Sequence, residues 1–466
     1  MYQQITPPPK KEYVDSSILI YVAFCTAFFP RILNAVGAPS AINFLHFAVV
    51  PLVLAIILTT AKPRMRDQIA VSRTLFISIV IFSGVFLISA LINSAGFINA
   101  VLDFLMLSEP FLLLLAIVYI PISRSKLSLL KKLFLASCLI NLLLAFVQWP
   151  LLVKGVLSTK GMGLQDAVQG VFYITGAGNY VSATLSICVG LYFFSTFSKI
   201  FPIWVRVSVL AATFWQIILA DCKQIVLALG LAWVLLVIIR SQNITQALKY
   251  LITLILVSAV FLFCVQNIPD FSAYNAWARP ELYGLDGEAT HAKIAGIRII
   301  LSFHKSFLNL LFGLGPGHTI GRLGGWLLKD YWNLLGPLGA TTHPASQAVW
   351  DAANSDWLNQ DGGSTIFSPF FTWAGIWGDL GFVGLGVYLY LAFVVWHCLC
   401  SDDLPRFWLL SMLIIGFFFT QLEEPGYMLS MAFLIGVRWQ EKRMAAQNNF
   451  NSRTRGMVLL TSQTSG

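Results

Sequence analysis

Apolar runs close to a bilayer's thickness repeat along most of the chain, separated by short polar connections. Twelve are legible, at about 16–34, 40–61, 74–92, 97–120, 128–150, 171–196, 202–220, 224–240, 247–266, 367–397, 405–421 and 426–438. About 20 apolar residues make one transmembrane helix. Backbone polar groups in lipid need partners within their own segment, so each span is expected to be helical. The pattern therefore predicts an all-α, polytopic membrane protein with about twelve transmembrane helices. Residues 267–368 break the rhythm, with helical periodicity in their middle and a Gly-, Pro- and Trp-rich second half. Long connections of this kind are usually functional. Inside this stretch, residues 296–311 read as one amphipathic helix with a polar stripe of Arg298, Ser302, Lys305 and Asn309, ending on the turn GLGPG. The chain thus divides into a segment 1–15, spans at 16–266, the large loop 267–368, spans at 369–438, and a tail 439–466 that is polar and expected to be disordered after Arg443.

Composition strengthens this picture. The chain is 57% hydrophobic and only 11% charged, with a mean hydropathy of +0.76. A soluble domain carries about 25% charged residues, so this chain lacks the polar surface to cover a water-soluble globule. The apolar run after Lys10 and Lys11 resembles a signal peptide, but it ends in Phe-Phe-Pro-Arg without a small-residue cleavage site, and reads as a retained first span.

Charge sets the orientation. With the N-terminus in the cytoplasm, inner connections collect clusters such as Lys62, Arg64, Arg66 and Arg73, or Arg124, Lys126, Lys131 and Lys132. The short outer connections hold only Arg31, Lys154, Lys160 and Lys223. This asymmetry follows the positive-inside rule. It puts both termini in the cytoplasm and the large loop outside. The net charge of +9 is scattered among short connections, which favours anionic phosphates at a membrane surface over nucleic acid. Seven cysteines lie in or beside apolar segments without a CxxC pair, so neither a disulfide framework nor a thiolate metal site is expected.

Several polar positions could carry chemistry, each beside a plainer reading. The stripe on residues 296–311 is an interfacial helix meeting lipid headgroups, or Arg298, with Lys305, binds a lipid-linked phosphate. Asp221 and Lys223 snorkel from two helix ends, or Lys223 adds to the positive end of a helix dipole and welcomes an anion. Asn179 pairs helices, or joins Asp166 and Gln169 in sugar contacts. Asp379 lies two to three turns into span ten, where a carboxylate is a site candidate by default; a capping or helix-pairing role is the alternative. Glu423 and Glu424 are an exposed turn, partners of an outer Arg, or an acid/base pair. His291, His304, His318 and His343 lack metal-binding spacing. His343 is structural or a catalytic base.

In arrangement the chain resembles the O-antigen ligase/polymerase superfamily of bacterial inner membranes. That family's glycine/asparagine lead-in to a middle span is similar to GAGNYVSA (176–183). Its basic residue after a span corresponds to Lys223 in DCKQ, and its loop Arg before a Gly-Pro-Gly turn to Arg298. Its acidic residue before a small-residue run corresponds to Asp379 in GDLGFVGLG. The resemblance implies a metal-independent, cofactor-free glycosyltransferase whose donor is a glycan on undecaprenyl pyrophosphate. Arg298, Lys223 and Lys305 would hold the pyrophosphate. Asp379, Glu423, Glu424 or His343 would serve the acceptor hydroxyl. Trp326, Trp332, Trp350 and Trp357 would stack on sugars or anchor the interface. A chain-length regulator and a flippase are the partners implied. Ligases of the family carry a histidine about ten residues before the acidic position, where this chain reads FSPFFTW. That points to the Wzy-type polymerase branch, with a ligase or a transporter as the alternatives.

Overall fold

A computed structural model describes residues 15–463 apart from 64, 160, 174–176, 241–243, 269–273, 275–279, 285, 359–367, 370 and 419. Arg64 and Lys160, counted in the orientation above, lie outside the described residues, as do Lys10 and Lys11 with nearly all of the segment 1–15, and the side chain of Trp357. Among the described residues the chain is helical, without a strand. The first ten helices are α1 (Ser16–Phe28), α2 (Pro30–Ala35), α3 (Leu45–Thr60), α4 (Arg66–Ile92), α5 (Phe97–Tyr119), α6 (Arg124–Val153), α7 (Gly178–Thr196), α8 (Ile203–Leu219), α9 (Lys223–Arg240) and α10 (Ile244–Asn267). The long connection holds α11 (Glu288–Ser302), α12 (Phe307–Phe312) and α13 (Pro344–Leu358). Then come α14 (Phe371–Cys398), α15 (Asp403–Ile415) and α16 (Pro425–Gln463).

Among the described residues, six helical stretches are long and apolar enough to cross a membrane: Ser40–Thr60, Arg66–Ile92, Phe97–Tyr119, Arg124–Val153, Lys223–Arg240 and Phe371–Cys398. Of these, α5 is the hub, packed against α3, α4 and α16. Some 78% of its apolar window is buried, against 28% for α9, so α5 is a core helix while α9 turns most of its surface outward. Large apolar side chains such as Leu91, Trp204 and Val260 are exposed on the periphery, as lipid-facing surface requires.

Connections fall into two sets, one at each end of the bundle. At one end, the 29–44 connection meets the long segment through the Phe44–Tyr331 ring pair, and Gly96 N donates to Thr341 Oγ1. At that end too, Tyr274 OH donates to Lys223 O, and Arg322 pairs with Glu424. At the other end, Asp15 pairs with Lys126, Gln68 donates to the carbonyls of Val118 and Ile120, Gln440 donates to Ile117 O, and Arg438 pairs with Asp402. The long segment is packed onto the first end rather than standing apart as a separate domain.

Some local expectations change. Residues 296–311 do not form one helix: α11 stops at Ser302 and α12 begins at Phe307. Ser306 and Asn309 make a reciprocal capping box, with Asn309 Oδ1 accepting from Lys305 N and Ser306 N. That satisfies the donors a new helix leaves open, so the supposed stripe is split by a helix start. Span six begins at Gly178, after a 3₁₀ turn at Gly170–Phe172. Gly170 takes φ +57°, and a Cβ there would lie 2.2 Å from Asn141 Oδ1, so the backbone is turned before the helix starts. The last helix continues to Gln463 instead of giving way to a disordered tail; Gln440, Glu441, Lys442, Arg443, Met444 and Ala445 are good helix formers and carry it on.

Candidate functional site

The small-residue run in α14 has a specific consequence. Gly381 takes φ +67°, which breaks the helix just after Asp379. The GLGPG turn docks against this break. Leu314 N donates to Gly378 O at 2.8 Å and Gly315 N to Asp379 O at 3.1 Å. Gly313, Gly315 and Gly317 all have positive φ, a conformation costly for residues with a Cβ. A Cβ on Gly313 would sit 2.4 Å from Asp379 O, and one on Gly381 2.3 Å from Leu311 O. The Asp379 carboxylate then accepts from Gly317 N at 3.1 Å and His318 N at 3.2 Å. It anchors the turn, which is close to the capping alternative. Asn99 holds the turn from the other side, donating to Pro316 O and Thr341 O.

Four residues after the turn comes Gly321, and the absence of a side chain there lets two carboxylates face one another. A Cβ on Gly321 would lie 3.3 Å from Glu423 Oε2 and 3.6 Å from Asp379 Oδ2. Next, Arg322 N donates to Glu423 Oε2 in a short bond, its Nη1 donates to Glu423 O at 2.9 Å, and the same Nη1 lies 2.6 Å from Glu424 Oε2. So Glu423 and Glu424 are the partners of an arginine from the long segment, Arg322. Asp103, on α5, stands within electrostatic reach of Asp379 and Glu423. Asp103 Oδ2 and Glu423 Oε1 are buried without a hydrogen-bond partner among the described residues. Burial pushes Glu423 up to about 8, so it is largely protonated at neutral pH. Among the described residues, no group of three or more His, Cys, Asp or Glu side chains is arranged to hold a metal ion.

His343 stands beside this hub, its ring 5.5 Å from that of His318. His318 Nδ1 lies 2.8 Å from Leu314 O, a pure acceptor, so Nδ1 carries the proton and Nε2 accepts from the Thr341 hydroxyl at 2.8 Å. Burial lowers the pKa of His318 and keeps it neutral. His343 Nδ1 accepts from Ala345 N at 3.1 Å and so caps the first turn of α13. Burial, and then the nearby Lys305, lower the pKa of His343.

A second cluster forms around the start of α9. Lys223 is its first residue and pairs with Asp221 at 2.6 Å. Asn179 donates to Asp166 Oδ1 at 3.0 Å and to Ala220 O at 3.1 Å. Gln169 is buried and donates to Asp166 O. Burial, with help from Asp221, raises Asp166 above the usual carboxylate range. The structure therefore brings Lys223, Asp166, Gln169 and Asn179 into one neighbourhood, with Asn179 bonded between helices.

Arg298 and Lys305 join neither cluster. Both side chains are exposed. On α11 the buried positions are Ala289, Ala292, Ala295, Gly296 and Ile300; Arg298 falls on the opposite face with His291, Ile294 and Ser302. Lys293, one turn below Gly296, turns inward: its Nζ lies 3.3 Å from Ser368 Oγ and 5.7 Å from the Phe418 ring centroid. Burial pulls Lys293 down to about 7. Trp326 and Trp350 pair at 5.8 Å, while Trp332 is exposed.

Sequence reasoning missed Arg322, Lys293 and Asp103. A signal existed for Asp103, a lone carboxylate in an apolar run. Lys293 shares the helical spacing of Gly296 and Ile300, which marks an inward face. Nothing local in GRLGG singled out Arg322; its partners are about a hundred residues away. No family model matches the chain, and no curated protein matches it.

Proposed function

We propose that the chain is a polysaccharide polymerase: a membrane glycosyltransferase that moves a glycan from undecaprenyl pyrophosphate onto a hydroxyl of a second lipid-linked repeat. In this reading it crosses the bacterial inner membrane twelve times, with both termini in the cytoplasm and 267–368 in the periplasm. The observation that carries the proposal is the hub at Arg322, where a buried guanidinium from the long segment meets the Glu424 carboxylate and the Glu423 carbonyl, while Arg322 N holds the Glu423 carboxylate beside Asp379.

In the transfer, the acceptor oxygen bonds to the anomeric carbon as the bond from that carbon to the diphosphate oxygen breaks. Negative charge gathers on the leaving diphosphate, and fixed cations in a dry site stabilise it. Arg322 and Lys293 are the inward-facing cations for this task, with Lys223 at the second cluster. The acceptor proton passes to an ionised carboxylate, either Asp379 or the ionised fraction of Glu423, which grows as pH approaches its value of about 8.

The test is Arg322→Gln in the native host, followed by analysis of the glycan. A polymerase leaves single repeats; a ligase instead leaves long chains on the carrier. Wild-type polymer at wild-type rate rules out the proposal. One observation favours transport as a second reading: Asp103 and Glu109 are buried within α5, as proton-coupled transport requires. A transporter defect would trap lipid-linked repeats in the inner leaflet, out of reach of an externally added glycosidase.

A further inference from the structure

A small cavity of about 20 Å³ at the same end of the bundle is lined by Arg31, Asn43, His46, Arg322 and Tyr331 among apolar neighbours. Two guanidiniums therefore border one space. Arg322 is paired with Glu424, while Arg31 makes no ion pair among the described residues. Glu424 and Arg322 both stand within electrostatic reach of Arg31. A guanidinium keeps its charge in proteins. Glu109, also nearby, lies with its Oε2 2.7 Å from His46 Nδ1. Asn43 Oδ1 is buried without a hydrogen-bond partner among the described residues. Turned over, its amide gives the cavity a donor in place of an orphaned acceptor. Held through Nδ1 by Glu109, His46 has Nε2 as its remaining polar atom.

We infer that this cavity is an oxyanion site, in which Arg31 and Arg322 grip one phosphoryl oxygen, with Asn43 and His46 as further hydrogen-bonding groups. The volume is that of about one water, so the site takes the tip of a phosphate or diphosphate whose bulk lies outside. Arg31 is only half-buried. The inference rests on the glycosyltransferase proposal only for naming a diphosphate as the natural ligand; the two guanidiniums on one cavity and the orphaned amide stand without it.

The experiment uses the full chain purified in detergent and measures thermal unfolding against added ligand. The probes are inorganic pyrophosphate and geranyl diphosphate, a short lipid-borne diphosphate. Both are expected to raise the melting temperature of the wild type. Lys329→Gln, which removes an exposed positive charge from the same segment, should respond as the wild type does. Arg31→Gln should need roughly 10- to 100-fold more ligand, the loss expected for one hydrogen bond to a charged group. Should Arg31→Gln not fold, Arg31→Lys keeps the charge, loses the fork and should weaken binding by a smaller factor. A response to geranyl diphosphate alone assigns the site to a lipid-borne ligand; a response to both means the oxyanion suffices. No response to either probe, or equal responses from the wild type and the Arg31 variant, overturns the inference. Binding without any effect on glycan transfer would leave the site standing and remove the function proposed above.

Discussion

Lys293 and Arg298 are five residues apart, yet one faces the protein interior and the other is exposed. If fixed inward charge drives transfer, Lys293→Met should slow initial transfer in proteoliposomes by about 10²-fold, the usual loss for one group aimed at developing charge. Arg298→Met should change it much less, and the reverse ranking would return the role to the exposed stripe. Glu423 makes a prediction about pH. Its folded pKa of about 8 lies above the ordinary 4.5. A raised value means the protonated form is favoured by folding, so its stability contribution is full below 4.5 and is lost as pH rises through about 8. Glu423→Gln removes that loss. Melting temperatures of the variant and the wild type should therefore diverge upward for the variant between pH 4.5 and 8, and parallel curves would contradict the burial of this carboxylate.

At the scale of elements, the broken α14 and the turn docked on it are the most constrained features. Gly381→Ala forces a Cβ into positive φ, which costs about 1–2 kcal/mol, and drives it against Leu311 O at 2.3 Å. It should lower stability by more than that penalty alone. Gly386→Ala is the control: it lies in the same helix with nothing within 4 Å of its Cβ, and should be neutral or stabilising by up to about 1 kcal/mol. Equal effects in denaturation would mean that α14 is not broken there. Asn309→Ala removes the capping box that starts α12 and should cost about 1 kcal/mol. Helix existence was legible from apolar runs because burial or lipid on all sides imposes a long apolar stretch. Internal breaks were harder to read. Ser306-x-x-Asn309 is a cap in the sequence, but it sits in an apolar pattern that continues across it.

For the whole molecule, the two sets of connections lead to a labelling prediction. Lys329→Cys, on the long segment, should react with a membrane-impermeant maleimide in intact spheroplasts. Lys62→Cys, at the opposite end, should react only after lysis. Both positions are exposed, and the native cysteines are buried or half-buried, so wild-type labelling supplies the background. Lys62→Cys labelling in intact spheroplasts would reverse the orientation deduced from charge asymmetry. The residues of the candidate site come from α5, the long segment, α14 and the connection before α16, so truncating any of these elements should remove the hub as a whole.

Membrane class and helix positions were set by the sequence alone, because hydrophobic period and length act locally and need no partner to be read. Asp379, Glu423 and Glu424 were also visible there as candidates, since carboxylates at the margins of apolar runs are costly to keep. Which cation serves them was decided only by tertiary structure. Arg322 reaches Glu424 across about a hundred residues of chain because three glycines turn the backbone at 313–317 and a fourth breaks the helix it lands on. Lys293 replaced Arg298 as the inward cation because helix rotation against α13 and α14 selects one face of α11. Long-range packing chooses among residues that local pattern treats as equivalent.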